Sequence, residues 1–231
     1  MITLALDAST YIGTVAVIRD GEIAAQGEAA MRGRDVERLM PAIVRALSDA
    51  RVPIRDVSRV VCGDGPGSFT SLRIAASIAK GIAMGNGVPV LHVSSLALIP
   101  AGVDDLEPGG YVAVLDALRG EGYFQRLRRT ASGDLIAESQ FYLGPVATVV
   151  QVARDLGVRI IGPVDVLDLL PDAARQGPMA AIVASPRARG VTRAEGLLEP
   201  AELAGWEPRY GRLAEAQVKW EAQHGRPLPA Q

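Results

Sequence analysis

Polar and apolar positions fall into short blocks along the chain, some with a period of two and others with helical spacing, and the two kinds alternate. Ile2 to Ala8 is apolar except at Thr3 and Asp7, the pattern of a buried strand, and Thr14 to Arg19 alternates. Asp20-Gly21 is a two-residue hairpin signal, so Glu22 to Ala29 is predicted to pair back on the second strand. Helical spacing takes over at Val36, Leu39, Met40, Ile43 and Leu47, with Pro41 early enough in the helix to cause at most a modest kink. Val57 to Cys62 then predicts a strand, Gly63 to Gly67 a tight turn, Ser68 to Met84 a helix, and Val88 to Val93 a short buried strand.

The loop Ala101 to Pro108 carries Gly, Pro and three acidic residues, and it divides the chain into units 1–103 and 104–231. The second unit repeats the opening of the first. Tyr111 to Leu115 is an apolar strand ending at Asp116, as Ile2 to Leu6 ends at Asp7, and each is followed by a turn, a strand, an Asp/Gly turn and a third strand. Helix Ala147 to Leu156, strand Val158 to Ile161, a short strand Ala180 to Val183 and a helix capped by Ser185 with Pro186 at its first position complete the pattern. Whether the C-terminal segment returns to the first lobe is open at this stage, and the Pro- and Gly-rich stretch after Gly225 is expected to fray.

Two copies of strand–Asp–turn–strand–turn–strand–helix predict an α/β protein of two ribonuclease-H-like lobes with mixed sheets. Lobes of this kind often clasp a nucleotide. Asp7 and Asp116 are then candidates to face the cleft and hold a metal-bound phosphate or water. Each also suits a carboxylate that simply accepts hydrogen bonds from the turn following it, as Asp does readily.

At 231 residues the chain can bury a core without a staple, and the lone Cys62 excludes a disulfide framework or a cysteine-rich zinc site. All but Lys80 and Lys219 of the 24 basic residues are arginine, yet 26 acidic residues balance them and the arginines are spread along the chain. The densest group, Arg126, Arg128 and Arg129, nearly alternates and suits a solvated strand face at least as well as an RNA groove. A direct RNA-binding module gains little support from this balance, nor from an aromatic content of 4%. Every apolar run is cut before the ~18 residues a membrane helix needs, so no span is predicted. The start shows neither a basic leader nor a cleavage-site pattern, and a cytoplasmic location is expected.

The Gly-rich turn between strand and helix could cradle an anion with its amides and the helix N-terminus. It lacks the Lys-Ser/Thr pair of a P-loop and the glycine spacing of a dinucleotide fold. Ser68 has no neighbouring histidine in sequence, so helix capping rather than nucleophilic chemistry is its expected role. The whole string GDGPGSFTSLRIAASIAKGIA, residues 63–83, closely resembles the signature of the bacterial TsaB (YeaZ) family. LALDAST near the start, ERLMP at 37–41, LDALRGEGY at 115–123 and EPRYGRLAEA at 207–216 extend the resemblance over nearly the whole chain.

The resemblance implies the two-lobed fold of the actin-like ATPase (ASKHA) superfamily, and a non-catalytic accessory subunit in formation of threonylcarbamoyladenosine in tRNA. The implied partner is a TsaD-type threonylcarbamoyl transferase, with a TsaE-type ATPase joining through the complex and tRNA contacted only indirectly. The transferase's metal-binding HxxxH is matched here by Ser95 and Ile99, so no metal site is expected. His92 and His224 are far apart, and His92 lies in a buried-strand pattern that suits a satisfied core histidine. The transferase's Gly-Gly nucleotide loop is also missing, since Gly109-Gly110 precedes the second lobe. No cofactor is therefore assigned to this chain alone, and ADP or ATP at the heterodimer interface stays open. The family's usual His-Ser-Glu is here Asp35, Val36 and Glu37, where Asp35 can still cap the helix; its Asp-Ala-Arg is Asp116-Ala117-Leu118 with Arg119 one position later, and its Gly-Leu-Arg is Ser71-Leu72-Arg73.

On the helix from Thr70, Ile74, Ile78 and Ile82 form one ridge and Leu72, Ala75, Ala76, Ala79 and Ala83 a neighbouring one. Together they span about 200° of arc, against the ~100° of a simple surface helix. One ridge packs on the lobe's own sheet, and the alanine ridge would let a second helix approach closely. Burial of the helix between the two lobes fits the same pattern. With the resemblance added, the expected partner interface is Glu37, Leu39, Met40, Ser68, Phe69, Leu72, Arg73, Ala76, Ala79 and Ala83, used by the transferase or by a second copy when the partner is absent. The rival expectation is a stand-alone ATPase or phosphotransferase holding magnesium on Asp7 and Asp116.

Overall fold

The structure is a computed structural model, and it describes residues 1–31, 37–174, 176 and 180–211. The chain opens with three strands, β1 (Ile2–Asp7), β2 (Ile12–Arg19) and β3 (Glu22–Ala30). The hairpin between β2 and β3 turns at Asp20 and Gly21, with φ of 52° and 88°, the left-handed pair that a two-residue turn requires. There follow α1 (Leu39–Asp49), β4 (Arg59–Gly63), α2 (Phe69–Asn86), β5 (Val90–Val93) and α3 (Leu98–Ala101). The second half runs β6 (Gly109–Asp116), β7 (Glu121–Arg129), β8 (Leu135–Ala137), β9 (Tyr142–Pro145), α4 (Val146–Leu156), β10 (Arg159–Gly162), α5 (Val164–Leu167), β11 (Ile182–Val183) and β12 (Glu199–Pro200).

Among the described residues two six-stranded sheets result, in the orders β12-β5-β4-β1-β2-β3 and β11-β10-β6-β7-β8, with β9 also pairing β7. The duplication is visible in the pairing. β1 runs antiparallel to β2 and parallel to β4, as β6 runs antiparallel to β7 and parallel to β10. Asp7 and Asp116 occupy the same place, the last residue of the first strand, opposite Thr14 and Gly122. These are two ribonuclease-H-like lobes with mixed sheets.

Alternation along the strands sorts side chains between cores. Leu4, Leu6, Val15 and Val17 meet α1 and α2 on one face of the first sheet. Ala5, Ala16, Ile18 and Val61 point the other way and share a second core with Ala113, Leu115 and Leu127 of the second sheet. Val112, Val114 and Phe124 pack under α4 and α5 on the outer side of the second sheet. Between the sheets lie α3 and a 3-10 turn over Ala188–Thr192. The helix expected from Pro186 is only this turn. Arg187 N–H donates to the Leu98 carbonyl and Ala188 N–H to Thr14 Oγ1, which hold the chain extended where a helix would have to begin. The third strand expected in the second lobe is divided between β8 and β9, both on β7.

The arginine cluster on β7 does not share one face. Arg128 is exposed and paired with Glu138, whereas Arg129 is buried and donates to the carbonyls of Pro100, Val103 and Asp104. Among the described residues no helix is long and apolar enough to cross a membrane.

Candidate functional site

The GDGPGSF string turns the chain from β4 into α2 at the meeting point of the two lobes. Close packing explains its glycines. A Cβ on Gly63 would run into the Asp7 carboxylate and lie 3.0 Å from Ser95 Oγ, one on Gly65 would lie 2.6 Å from the Arg209 carbonyl oxygen, and one on Gly67 would strike the Ser9 carbonyl. Gly65 also has φ of +95°, open to glycine at little cost. The loop's amides are largely used within the chain: Gly65 N–H donates to Ser95 Oγ at 3.1 Å and Ser68 N–H to the Ser9 carbonyl at 2.8 Å. Ser68 holds the N-cap position of α2, but its hydroxyl pairs with Ser71 Oγ at 3.0 Å and caps no amide.

Asp7 is fully buried beneath this turn. Ser95 Oγ donates to one carboxylate oxygen at 2.5 Å, and Ser9 donates its hydroxyl and amide to the other at 2.8 and 3.1 Å. Burial pushes the Asp7 carboxyl above its ordinary range, the serine hydrogen bonds opposing it and the Asp64 charge adding to it. Cys62, at the same level of β4, has its thiol pushed well up by burial and by Asp7 and Asp64. Asp7 thus meets the turn, as the second of its two readings held, and it does not face the cleft.

Asp64 is also fully buried, but it is charge-compensated. Arg209 Nε lies 2.8 Å and Nη2 3.1 Å from its two oxygens, and His92 Nδ1 lies 2.7 Å from Oδ2. The His92 ring stacks on Trp206 at 5.7 Å, the satisfied histidine that its strand pattern suggests.

A cleft of about 650 Å³ opens beside the turn, between Ser9, Thr10 and Tyr11 of the first lobe, the β6–β7 hairpin from Leu115 to Arg119, Pro163 and Asp165, and Tyr210 with Gly211. Asp116 lines it and accepts a hydrogen bond from the Leu118 amide at 2.8 Å. Asp116 is thus on the cleft wall, whereas Asp7 lies buried beneath the turn. No cluster of three or more His, Cys, Asp or Glu side chains suited to a metal occurs among the described residues.

The expected partner face needs correction. Leu39, Leu72, Ala79 and Ala83 are wholly buried and Ala76 nearly so, with Leu39, Ala76, Ala79 and Ala83 in the core under the first sheet. The alanine ridge is thus the one that packs on the chain's own sheet, because small side chains let α2 sit close to the strands. The opposite side of α2 presents Thr70, Arg73, Ser77, Gly81 and Met84, with Ile74 and Ile78 half-buried. Glu37, Phe69, Thr70, Arg73, Ile74, Ser77 and Ile78 line an open groove of about 500 Å³ along it. Glu37 accepts hydrogen bonds from the amides of Leu39 and Met40 and so caps α1; the capping role expected of Asp35 lies outside the described residues. Met40 and Ser68 are half-buried.

The family model described as TsaD, tRNA N6-adenosine threonylcarbamoyltransferase, matches residues 30–149, more than half of the chain. The Bacillus subtilis "tRNA threonylcarbamoyladenosine biosynthesis protein TsaB" is 27% identical over 226 residues, 95% of this chain and 98% of its own length. The Haemophilus influenzae protein of the same name is 36% identical over 127 residues, 54% of this chain and 53% of its own. Among solved structures, YeaZ from Pseudomonas aeruginosa superimposes with a TM-score of 0.74 at 25% identity, covering 90% of this chain and 99% of its own. The chain belongs to the TsaB (YeaZ) family.

In this TsaB-family chain Ser95 and Ile99 are fully buried; Ser95 is spent on Asp7 and Ile99 on the interlobe core. Sequence reasoning missed the part played by Trp206, Arg209 and Tyr210. The only signal was the EPRYG string, whose contacts with Asp64 and Phe69 span more than a hundred residues.

Proposed function

We propose that this chain is a non-catalytic accessory subunit in the formation of threonylcarbamoyladenosine in tRNA, docking on a TsaD-type transferase through the outer side of α2 and the start of α1. The observation that carries the reading is the two-sidedness of α2. Its inner ridge is consumed by the chain's own core, against which Ile78 also packs from the groove's edge, while Ile74 lies half-buried among Thr70, Arg73 and Ser77 on the outside. A Cβ at Gly81 or Gly85 would meet nothing within 4 Å, so a second helix can lie close there.

A supporting role also suits the chemistry. Asp7 is sealed and hydrogen-bonded, which favours a structural carboxylate over the metal-holding one on which the ATPase alternative relied. In this account a nucleotide, when present, binds at the surface shared with the transferase; a TsaE-type ATPase joins through the complex, tRNA is handled by the partner, and the same face pairs two copies when the transferase is absent.

Reconstitution tests the proposal. The transferase, its threonylcarbamoyl-adenylate supply and unmodified tRNA are combined with and without this chain, and modified nucleoside is measured. Strong dependence on the chain is expected, with no ATP turnover by the chain alone; modification that is indifferent to it, or ATP turnover by the isolated chain, would overturn the reading.

A further inference from the structure

The EPRYG string is unaccounted for by docking through α2, yet it reaches that face. Residues 199–211 cross the first lobe as a strap. Its start pairs with β5, its middle is anchored by buried Trp206, and Arg209 binds Asp64 through its guanidinium and through a main-chain N–H that donates to the Asp64 carbonyl at 2.6 Å. The next residue, Tyr210, lays its ring against Phe69 with centroids 4.5 Å apart. Phe69 carries the Arg73 guanidinium 5.4 Å from its centroid and lines both the interlobe cleft and the α1–α2 groove. The Tyr210 carbonyl accepts a hydrogen bond from Tyr123 of the second lobe at 3.4 Å, and Gly211 is wedged between Tyr123 and Pro66. One short strap therefore ties both lobes to the aromatic side chain at the end of the groove.

Resting on the docking reading above, we propose that Tyr210 is a positioning residue for the partner face: its ring fixes Phe69, and through it Arg73, in the arrangement the partner meets. Lobe separation and the shape of the docking face then become linked, because Tyr210 cannot follow the second lobe without releasing Phe69. An aromatic ring, rather than the phenol hydroxyl, is what the contact requires.

The test measures affinity of the full chain for the same organism's transferase homologue by calorimetry. Tyr210→Phe is expected to bind within twofold of wild type and Tyr210→Ala about tenfold more weakly. Val150→Ala, which truncates a buried side chain in the core under α4, loses stability but keeps full affinity and so separates positioning from general weakening. Wild-type affinity in Tyr210→Ala, equal weakening in Tyr210→Phe, or weakening in Val150→Ala would each overturn the inference. Ser77→Arg, measured alongside, tells the two readings apart: if it loses binding while Tyr210→Ala does not, only the positioning role falls. If Ser77→Arg binds as wild type, the docking face itself is wrong, and the inference falls with it.

Discussion

Two arginine substitutions two residues apart on α2 should have opposite consequences. Ala79 is wholly buried under the first sheet, so Ala79→Arg forces a long cation into a packed core. Overpacking and an unpaired buried charge together cost about 3–5 kcal/mol, a large part of the ~5–15 kcal/mol that holds a domain together. Ser77 is exposed on the other side, where Arg can extend into water, and its effect on the free chain should stay within about 0.5 kcal/mol. Against a helix packed at the ~8–10 Å separation that small residues permit, the same side chain has no room. A loss of at least about 2 kcal/mol, or about 30-fold in Kd, is expected for the transferase complex. Thermal melts and calorimetric titration of both variants make the comparison. Stable Ala79→Arg with weakened binding, or Ser77→Arg with unchanged binding, would refute the assignment of faces.

Burial raises the Asp7 pKa, so the folded chain holds this proton more tightly than the unfolded chain does. That contribution to stability is fully present below the unfolded value near 3.8 and is lost as pH rises through the folded one. Asp7→Asn should therefore flatten the fall in melting temperature with rising pH; a pH slope as steep as that of wild type would contradict the raised Asp7 pKa. Gly67→Ala sets a Cβ against the Ser9 backbone and should cost at least about 2 kcal/mol, roughly 4–8 °C in Tm, while Gly85→Ala, with open space at its Cβ, should stabilise by up to about 1 kcal/mol. Cys62, buried with its thiol pKa raised, should resist thiol reagents in the native protein and react on unfolding; prompt labelling of folded chain would show the β4 packing to be wrong.

The lobes were legible because each begins with the same apolar strand ending in Asp, followed by a turn and a strand that pairs back on it. The hairpin at Asp20-Gly21 and the turn into α2 were legible too, since left-handed backbone and close approach both demand glycine there. The outward face of α2 was not. A helix with two apolar arcs has no mark saying which one meets the sheet, and an alanine ridge serves close packing on strands as well as on another helix. The hydrogen bonds that Asp7 accepts from Ser9 and Ser95 were only half legible, because Ser9 is two residues away and Ser95 is 88. The Ser185-Pro186 signal is a sound local start for a helix, overridden by bonds from that segment to Leu98 and Thr14. The strap carrying Arg209 and Tyr210 has neither periodicity nor repeat, and only the folded chain shows what it touches.

Size-exclusion chromatography with light scattering, run on this chain, on the same organism's TsaD homologue and on their mixture, tests the accessory-subunit account most directly. A one-to-one complex that disappears with Ser77→Arg is the predicted result. Two unmixed peaks at micromolar concentrations would contradict it.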